Sequence, residues 1–324
     1  MPEILVVGSL NADLVVRAPR FPQPGETISG EDLQVIPGGK GANQAVAAAR
    51  HGAQVSMLGR VGNDGFGDFL LDNLKENNVD ISRIRRDDAS TGTATIIVDS
   101  NGQNSIVLSA GANGNVSVGD VDQASFADHK LLLLQLEIPT PTVLAATRRA
   151  REHGLSVILN PAPAKELPDE LISMVDYLIP NETELGLLTG MDVKDPSSTE
   201  LAARSLLARG VKNVIVTLGS RGALIVSKEA SIQVDTYAVD VVDTTAAGDA
   251  FIGGFAYKLL ESASLLAKFQ EQVLPRRHGD APVLQNAVRY GCACGALATT
   301  KFGAQPSLPT KEEVERFMSS QGGA

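Results

Sequence analysis

Short apolar runs separated by helix-like stretches recur along most of this chain. Each run has the length of a buried strand, and most of the stretches between them have the spacing of amphipathic helices. The runs lie at 4–8, 55–59, 131–136, 156–160, 177–180 and 214–218. Strand, turn and helix in repetition predict a mainly parallel sheet with helices on both faces. We therefore expect a doubly wound α/β fold in which 1–324 form a single domain.

Two segments, 14–37 and 91–108, break this rhythm because their strand-like pieces are not interleaved with helices. The second segment has an Asn-Gly hairpin signal at 100–103, between strand patterns at 91–99 and 104–108. In the first segment, short strands are predicted at 27–30 and 33–37. These pieces predict a small separate β-sheet that serves as a lid or as an interface.

The stretch 243–249 lies between a predicted strand at 237–242 and a predicted buried helix that begins at 250. Small residues there would let the backbone approach a ligand, and the first turn of a helix offers free N–H groups to an anion. Asp249 has two interpretations. It is a helix cap, or it is a general base that takes a proton from a hydroxyl attacking a phosphoryl group. From this stretch alone, the cap is the simpler interpretation.

A glycine-rich loop at 37–41 runs into an alanine-rich helix pattern that reaches 50. It differs from a phosphate-binding P-loop, since Lys40 is followed by glycine and the glycine spacing is wrong. Lys40 and Asn43 are predicted at the helix start, where they would reach a polyhydroxylated ligand. The alternative is that the loop is only the N-terminal cap of the helix.

Polar residues recur where predicted strands end, and in a doubly wound sheet these ends share one rim. The set comprises Asn11, Asp13, Glu137, Asn181, Glu184, Thr217, Gly219 and Asp249. Asp13 alone could equally cap a turn, in the predicted loop after the first strand. We expect Asp13 and Glu137 to bind hydroxyl groups, and Asn181 and Glu184 to hold water-coordinated Mg²⁺.

Composition and charge narrow the range of functions. The 324 residues carry a net charge of −10 without a long basic run, which argues against nucleic-acid or anionic-membrane binding. The only cysteines, Cys292 and Cys294, lie two apart in a helical pattern, so we expect buried free thiols and a reducing compartment. The start is too short for a signal peptide and resembles a core strand. A polar, breaker-rich stretch at 275–282 predicts an exposed loop.

Several stretches together resemble the PfkB carbohydrate kinase family, and within it the members that phosphorylate ribose. The similarity covers nearly the whole chain, and the motifs occur in the family's order. The matching stretches are 9–13, 38–45, 135–137, 160–164, 180–184, 217–222, 243–249 and 303–307. This resemblance implies ATP-dependent phosphorylation of D-ribose at its 5-hydroxyl, which gives D-ribose 5-phosphate and ADP.

The resemblance also implies a role for each matching residue. Asp249 would be the general base, and the backbone of Ala246, Ala247 and Gly248 would form an anion hole for the transferred phosphoryl group. The implied sugar-binding residues are Asn11, Asp13, Gly39, Lys40, Asn43, Glu137 and Asp249. The implied nucleotide-binding residues are Asn181, Thr217, Gly219, Ser220, Gly222, Gly248 and Cys292, although relatives usually carry a polar or histidine side chain at the last position.

Two cations and a partner subunit are implied as well. Mg²⁺ would bind with ATP, through water, at Glu184. An activating K⁺ would be held, in several cases by backbone carbonyls, at Asp243, Thr245, Ala298, Lys301, Gly303 and Ser307. The β lid would form a homodimer. We expect a cytoplasmic enzyme, also nuclear if the source is eukaryotic, with no nucleic-acid or membrane partner.

Two other functions remain open at this point. A kinase of the same family could act on another sugar, such as deoxyribose, fructose or a nucleoside. Asp13 and Glu137 favour a small hydroxyl-rich pentose, because buried carboxylates without hydroxyl partners are costly. A non-catalytic sugar sensor would predict a damaged base or anion hole, and neither is found. A dinucleotide-dependent oxidoreductase is disfavoured because no Gly-x-Gly-x-x-Gly follows the first strand.

Overall fold

The computed structural model describes residues 3–270 and 280–321, and their side chains except at 263–270 and 280–281. The strands are β1 (Ile4–Val7), β2 (Asn11–Arg17), β3 (Gln34–Gly38), β4 (Val55–Gly62), β5 (Val79–Asp87), β6 (Gly92–Val98), β7 (Asn104–Ser109), β8 (Leu131–Leu134), β9 (Ser156–Leu159), β10 (Tyr177–Leu178), β11 (Asn213–Thr217), β12 (Ala223–Val226) and β13 (Ser231–Val234). The helices are α1 (Lys40–Arg50), α2 (Gly65–Glu76), α3 (Val118–Asp122), α4 (Thr140–Glu152), α5 (Asp169–Ser173), α6 (Glu182–Thr189), α7 (Pro196–Ala208), α8 (Ala247–Gln270), α9 (Asp280–Ala298) and α10 (Lys311–Gln321).

A nine-stranded sheet organises the described part of the chain, in the order β13-β12-β11-β10-β9-β8-β1-β4-β5. Every pairing from β11 to β5 is parallel, and β12 and β13 continue the sheet antiparallel. Chain order runs outward in both directions from the neighbouring strands β1 and β8. Such a switch point opens a crevice at the carboxyl ends of the two strands, and ligands bind there in open α/β sheets.

Alternate residues of the central strands point to opposite faces of the sheet, and each face carries its own core. Ile4 and Val6 of β1 belong to one hydrophobic cluster, whereas Leu5 and Val7 belong to the other. Helices α1, α2, α8, α9 and α10 cover the first face, and α3 to α7 cover the second. The predicted doubly wound fold is confirmed. No helix among the described residues is long and apolar enough to span a membrane.

A second, four-stranded sheet has the order β3-β2-β6-β7 and stands apart from the main sheet. It confirms the predicted small β-sheet, including the hairpin between β6 and β7. Two details differ from expectation. Residues 27–30 are not a strand, and 11–13 begin β2 and are not a loop after β1. Asn11 pairs with both Gly38 and Gly92, so backbone pairing with two neighbours extends the strand back to the rim.

One other local prediction was wrong, two strands were not predicted, and one prediction falls largely outside the described residues. Residues 237–242 form no strand, because the main sheet ends at β13 and the N–H groups of Val242 and Asp243 both bond the Thr299 carbonyl. The strands β5 and β13 were not predicted, since their mixed polar sequences match edge positions with little burial. The predicted loop at 275–282 lies outside the described residues as far as 279, and from Asp280 onward the chain is helical.

Candidate active site

Polar side chains meet where β1 and β8 end. Ser9 follows β1 and donates its hydroxyl hydrogen to Glu137, which lies just beyond β8. The same Glu137 oxygen accepts the Lys40 N–H at 3.0 Å, so it satisfies the first turn of α1. The other oxygen of the Glu137 carboxylate accepts no hydrogen bond from the described residues, which leaves it for a ligand. The carboxylate therefore lies at the switch point with one side engaged by the protein.

The glycine-rich loop before α1 packs against the backbone of the β1–β2 connection. Gly39 has a φ of 86° and no capping side chain. A Cβ on Gly39 would come within 2.7 Å of the Asn11 nitrogen, and one on Gly38 would come within 2.2 Å of the Asp13 carboxylate. These contacts allow no larger residue. The loop thus brings Asn11, Asp13 and Lys40 to one place, which a simple helix cap would not require.

Asp249 lies in the first turn of α8 and is 6% exposed. Its Oδ2 accepts a hydrogen bond from Asn43 Nδ2 at 2.9 Å, and its Oδ1 accepts one from Gln44 Nε2 at 3.0 Å. Both donors come from α1, and neither is an N–H group of α8 itself. A helix cap accepts from its own helix, so the capping interpretation of Asp249 is not supported.

Charged groups surround Asp249 on the rim. Burial raises the pKa of Asp13 to about 7, and the negative charges of Glu137 and Asp249 add to the effect against the opposing Lys40. Burial alone would lower the pKa of Lys40, but Asp249, Glu137, Glu184 and Asp13 outweigh it and raise the pKa. One lysine therefore interacts electrostatically with four carboxylates. Such an excess of acceptors suits a ligand that brings hydroxyl groups.

The predicted anion hole forms the start of α8. Ala246 has a φ of 58°, a left-handed conformation that is strained for alanine. The first α-helical bond runs from Ala250 N–H to the Ala246 carbonyl at 2.8 Å. The N–H groups of Gly248 and Asp249 lie before it and have no helical partner. A Cβ on Gly248 would meet no atom within 4 Å, so an anion has open access to this turn.

Five of the seven predicted nucleotide-binding residues lie in two neighbouring turns, whereas Gly248 lies on α8 and Cys292 on α9. Asn181 and Thr217 pair through an isolated parallel bridge, which joins the turn before α6 to the end of β11. Gly219 and Gly222 both have positive φ, and with Ser220 they make a tight turn between β11 and β12. Cys292 is placed differently. The residue is 4% exposed within the core cluster, and burial raises the pKa of its thiol to about 12, so it offers a nucleotide little surface.

Glu184 and Asn181 form a capping box at the start of α6. Each side chain accepts the other's N–H, at 2.9 and 2.8 Å. Burial raises the pKa of Glu184, partly offset by the Asn181 N–H and by Lys40. The other Glu184 oxygen accepts no hydrogen bond within the described part of the chain. The described residues contain no cluster of three or more acidic, histidine or cysteine ligands, so a divalent ion here would rely on one carboxylate, water and phosphates. Mg²⁺ accepts such a ligand set.

The predicted K⁺ residues come from two segments that Asp243 joins. Its Oδ2 accepts the Gly303 N–H at 2.9 Å, and its Oδ1 accepts from the N–H and hydroxyl of Thr245 at 2.9 and 2.7 Å. Burial raises the pKa of Asp243, but these bonds outweigh burial and leave the pKa below its usual value. Ala298 and Ser307 are fully buried nearby in sequence, whereas the Lys301 side chain turns outward to Glu313. Hard oxygen donors are thus present for a monovalent cation.

Four side chains of the site were given no role from the sequence. Gln44 contacts Asp249, Ser9 contacts Glu137, and Gln135 donates to Gln44 at 2.6 Å. These three lie inside recognised motifs, which was the available signal. Asn113 had none. It follows the small sheet, clasps the backbone of Leu10 through both amide atoms, and donates to Asn11 Oδ1 at 2.8 Å.

A buried carboxylate beside an open helix N-terminus, on the rim of a doubly wound sheet, defines a phosphoryl-transfer enzyme that acts on hydroxyl groups. The description "pfkB family carbohydrate kinase" matches residues 1–311, and the chain belongs to this family.

Relatives and solved structures agree with this assignment. A ribokinase from Haemophilus influenzae is 41% identical over 318 residues, which is 97% of this chain and 98% of the relative. A deoxyribokinase from Salmonella typhi is 37% identical over 321 residues, which is 98% of this chain and 99% of the relative. The structure of Arabidopsis thaliana ribokinase complexed with ribose and ATP superposes with a TM-score of 0.84 at 32% identity, and covers 98% of both chains.

Proposed function

We propose that this protein transfers the γ-phosphoryl group of ATP to the 5-hydroxyl of D-ribose, giving D-ribose 5-phosphate and ADP. The observation that carries the proposal is the Asp249 carboxylate, oriented by two amides at the mouth of an open helix N-terminus. Ribokinases at about 40% identity over 97% of the chain support ribose as the sugar.

The proposed reaction assigns each atom a destination. Asp249 takes the proton of the 5-hydroxyl as the sugar oxygen forms its bond to the γ-phosphorus. The bond from that phosphorus to the bridging oxygen breaks, and ADP leaves with the electron pair. The N–H groups at the start of α8 stabilise the charge that develops on the phosphoryl oxygens. Asn11, Asp13, Gly39, Lys40, Asn43 and Glu137 hold the sugar.

Mg²⁺ fits beside Glu184, and when bound with ATP it would neutralise charge on the phosphate oxygens. Glu184 keeps one oxygen for its water shell because the capping box uses only the other. A monovalent cation, K⁺ by our proposal, fits near Asp243, where carboxylate, hydroxyl and carbonyl oxygens come together. Asp243 would then link that cation to the anion hole, three residues further along the chain.

Deoxyribose is the second candidate substrate, since a deoxyribokinase is among the relatives. A coupled assay of ADP release over ribose, deoxyribose, fructose and a nucleoside, with and without K⁺, separates the candidates. Our proposal predicts the highest kcat/KM for ribose and a rise in rate when K⁺ replaces Na⁺. Turnover of deoxyribose at a higher kcat/KM than ribose would move the proposal to the second sugar.

We also propose a homodimer formed by the small sheet. All of β7 is exposed, and it includes Ile106, Val107 and Leu108 at 50%, 69% and 52% exposure. At the opposite edge of this sheet, Leu33 precedes β3 and Val35 lies within it, and both are exposed as well. Sedimentation should give a dimer that Val107→Asp converts to a monomer.

Two free cysteines, buried in α9, support our further proposal that the enzyme is cytoplasmic, and also nuclear if the source is eukaryotic.

A further inference from the structure

Asp249 is gripped from two sides by consecutive residues of α1. Neighbouring residues on a helix point in directions about 100° apart, so they rarely reach the same group. Here Asn43 contacts Oδ2 and Gln44 contacts Oδ1. Asn43 belongs to the proposed sugar site, whereas Gln44 is 0% exposed and lies behind the carboxylate. Because Gln44 is fully buried, we expect no direct contact between its side chain and the sugar.

The Gln44 amide is itself immobilised. An ionised carboxylate only accepts hydrogen bonds, so Gln44 must turn its NH₂ group toward Asp249. That orientation leaves Oε1 to accept from Gln135 Nε2 at 2.6 Å, and the second N–H of Gln44 reaches Asn160 Oδ1 at 3.4 Å. Gln135 and Asn160 are buried and extend from β8 and β9, in the centre of the main sheet. The sheet thus fixes the position of Gln44.

Close packing of α1 against α8 makes this contact possible. Gly253 lies one turn beyond Asp249 on α8. A Cβ there would come within 2.3 Å of the Ala47 Cβ and 3.0 Å of the Gln44 carbonyl oxygen. The two helices approach to the distance that only glycine permits. Gln44 and Asp249 are therefore held together by the fold as well as by their hydrogen bond.

We propose that Gln44 is a positioning residue for phosphoryl transfer, which fixes the plane of the Asp249 carboxylate from its buried side. The oxygen beside Asn43 then remains available to take the proton of the sugar hydroxyl. This inference rests on the proposed function. Among the residues proposed to hold the sugar or to catalyse the transfer, the Gln44 side chain hydrogen-bonds only Asp249, so its loss should lower kcat and leave sugar binding nearly unchanged.

The primary test is Gln44→Met, which keeps the side-chain length and removes the donor. We expect kcat to fall about 30- to 100-fold, as for other small misplacements of a reacting group, with the Kd for ribose within about threefold of wild type. Calorimetric titration of ribose without nucleotide gives the Kd. The matched control is Thr147→Val on α4, which removes a buried hydrogen bond to the Val143 carbonyl on the other face of the sheet. The control should keep the wild-type kcat.

A second variant, Gln44→Glu, keeps an acceptor for Gln135 and gives a signature that a purely structural role lacks. Above neutral pH the introduced carboxylate offers Asp249 no donor and repels it. At lower pH the introduced carboxyl holds a proton and donates it to Oδ1. The ratio of variant to wild-type kcat should therefore rise as pH falls from about 8 to 6. Asp13, Lys40 and Glu184 interact electrostatically with Asp249, and Glu137 interacts with Asp13 and Lys40, so wild type measured over the same pH range is the reference for these groups.

The outcomes separate this inference from the proposed function. If wild type turns over ribose and Gln44→Met keeps kcat within about threefold, positioning by Gln44 is refuted. A pH-independent ratio for Gln44→Glu, or a loss of ribose binding equal to the loss of kcat, refutes it as well. If Gln44→Met does not fold, Gln44→Glu decides the matter. Absence of turnover in the wild type refutes the proposed function instead.

Discussion

Replacing Asp13 by asparagine should make the protein more stable at pH 8 while weakening its function. Asp13 is 8% exposed, and burial with two neighbouring carboxylates raises its pKa from 3.8 to about 7. At 1.36 kcal/mol per pKa unit, this rise corresponds to about 4 kcal/mol. Asparagine has nearly the same size and no charge. We expect Asp13→Asn to raise the free energy of unfolding by about 2 to 4 kcal/mol at pH 8.

The direction in which the free energy of unfolding changes with pH follows from proton binding at Asp13. Between the unfolded pKa of 3.8 and the folded pKa of about 7, the folded protein holds a proton on Asp13 that the unfolded chain has lost. The free energy of unfolding therefore falls as pH rises through this window, and the full cost of the charge is present above it. At pH 5 most of that cost is absent, so the advantage of Asp13→Asn should shrink to about 1 or 2 kcal/mol.

Urea denaturation followed by circular dichroism at pH 5 and 8 measures this difference. Asp122→Asn, a change of an exposed aspartate on α3, is the control and should show no pH-dependent gain. Ribose binding, measured in parallel, should weaken in Asp13→Asn because a charged acceptor for a hydroxyl is lost. An advantage of the same size at both pH values, or a net destabilisation at pH 8, would refute the electrostatic reasoning.

Two further predictions concern backbone geometry around Asp249. Ala246→Gly should raise the free energy of unfolding, measured in urea, by about 0.5 to 1 kcal/mol. The φ of 58° strains alanine, and relief of this strain should exceed the cost of the extra conformational entropy that glycine gives the unfolded chain. A destabilised variant would contradict this. Gly253→Ala should lower stability by about 1 to 3 kcal/mol by forcing α1 and α8 apart, and should lower kcat as well. An unchanged melting temperature together with an unchanged kcat would show that α1 and α8 accommodate the added methyl group without moving apart.

The main sheet and the small four-stranded sheet could be predicted because their signals are local. Apolar runs of strand length, helix periodicity and the Asn-Gly hairpin each act within a few residues. The failures depend on distant partners. Residues 237–242 have a strand-like composition, but no neighbouring strand is there to pair with them, and Val241 and Val242 are more than 60% exposed. Conversely, β5 reads as polar and becomes a strand because β4 pairs with it.

The candidate site divides in the same way. Asp249, Asn43 and Lys40 stand in motifs whose residue types already suggested chemistry. The support behind them could not be read from the sequence. Gln44 and Gln135 are 91 residues apart, and Asn113 and Asn11 are 102 apart, so only the folded chain shows that these amides meet. Cys292 is buried in a core cluster, as its helical pattern predicted, and its implied contact with a nucleotide stays a prediction.

Asp249→Asn tests the central claim most directly, with product formation and ribose binding measured on the same preparation. The change keeps the shape of the side chain and removes its capacity to take a proton. We expect wild type to form D-ribose 5-phosphate from ribose and MgATP, and the variant to lose about 10² to 10⁴ in kcat while still binding ribose. A variant with near-normal kcat would contradict the assignment of Asp249 as the base.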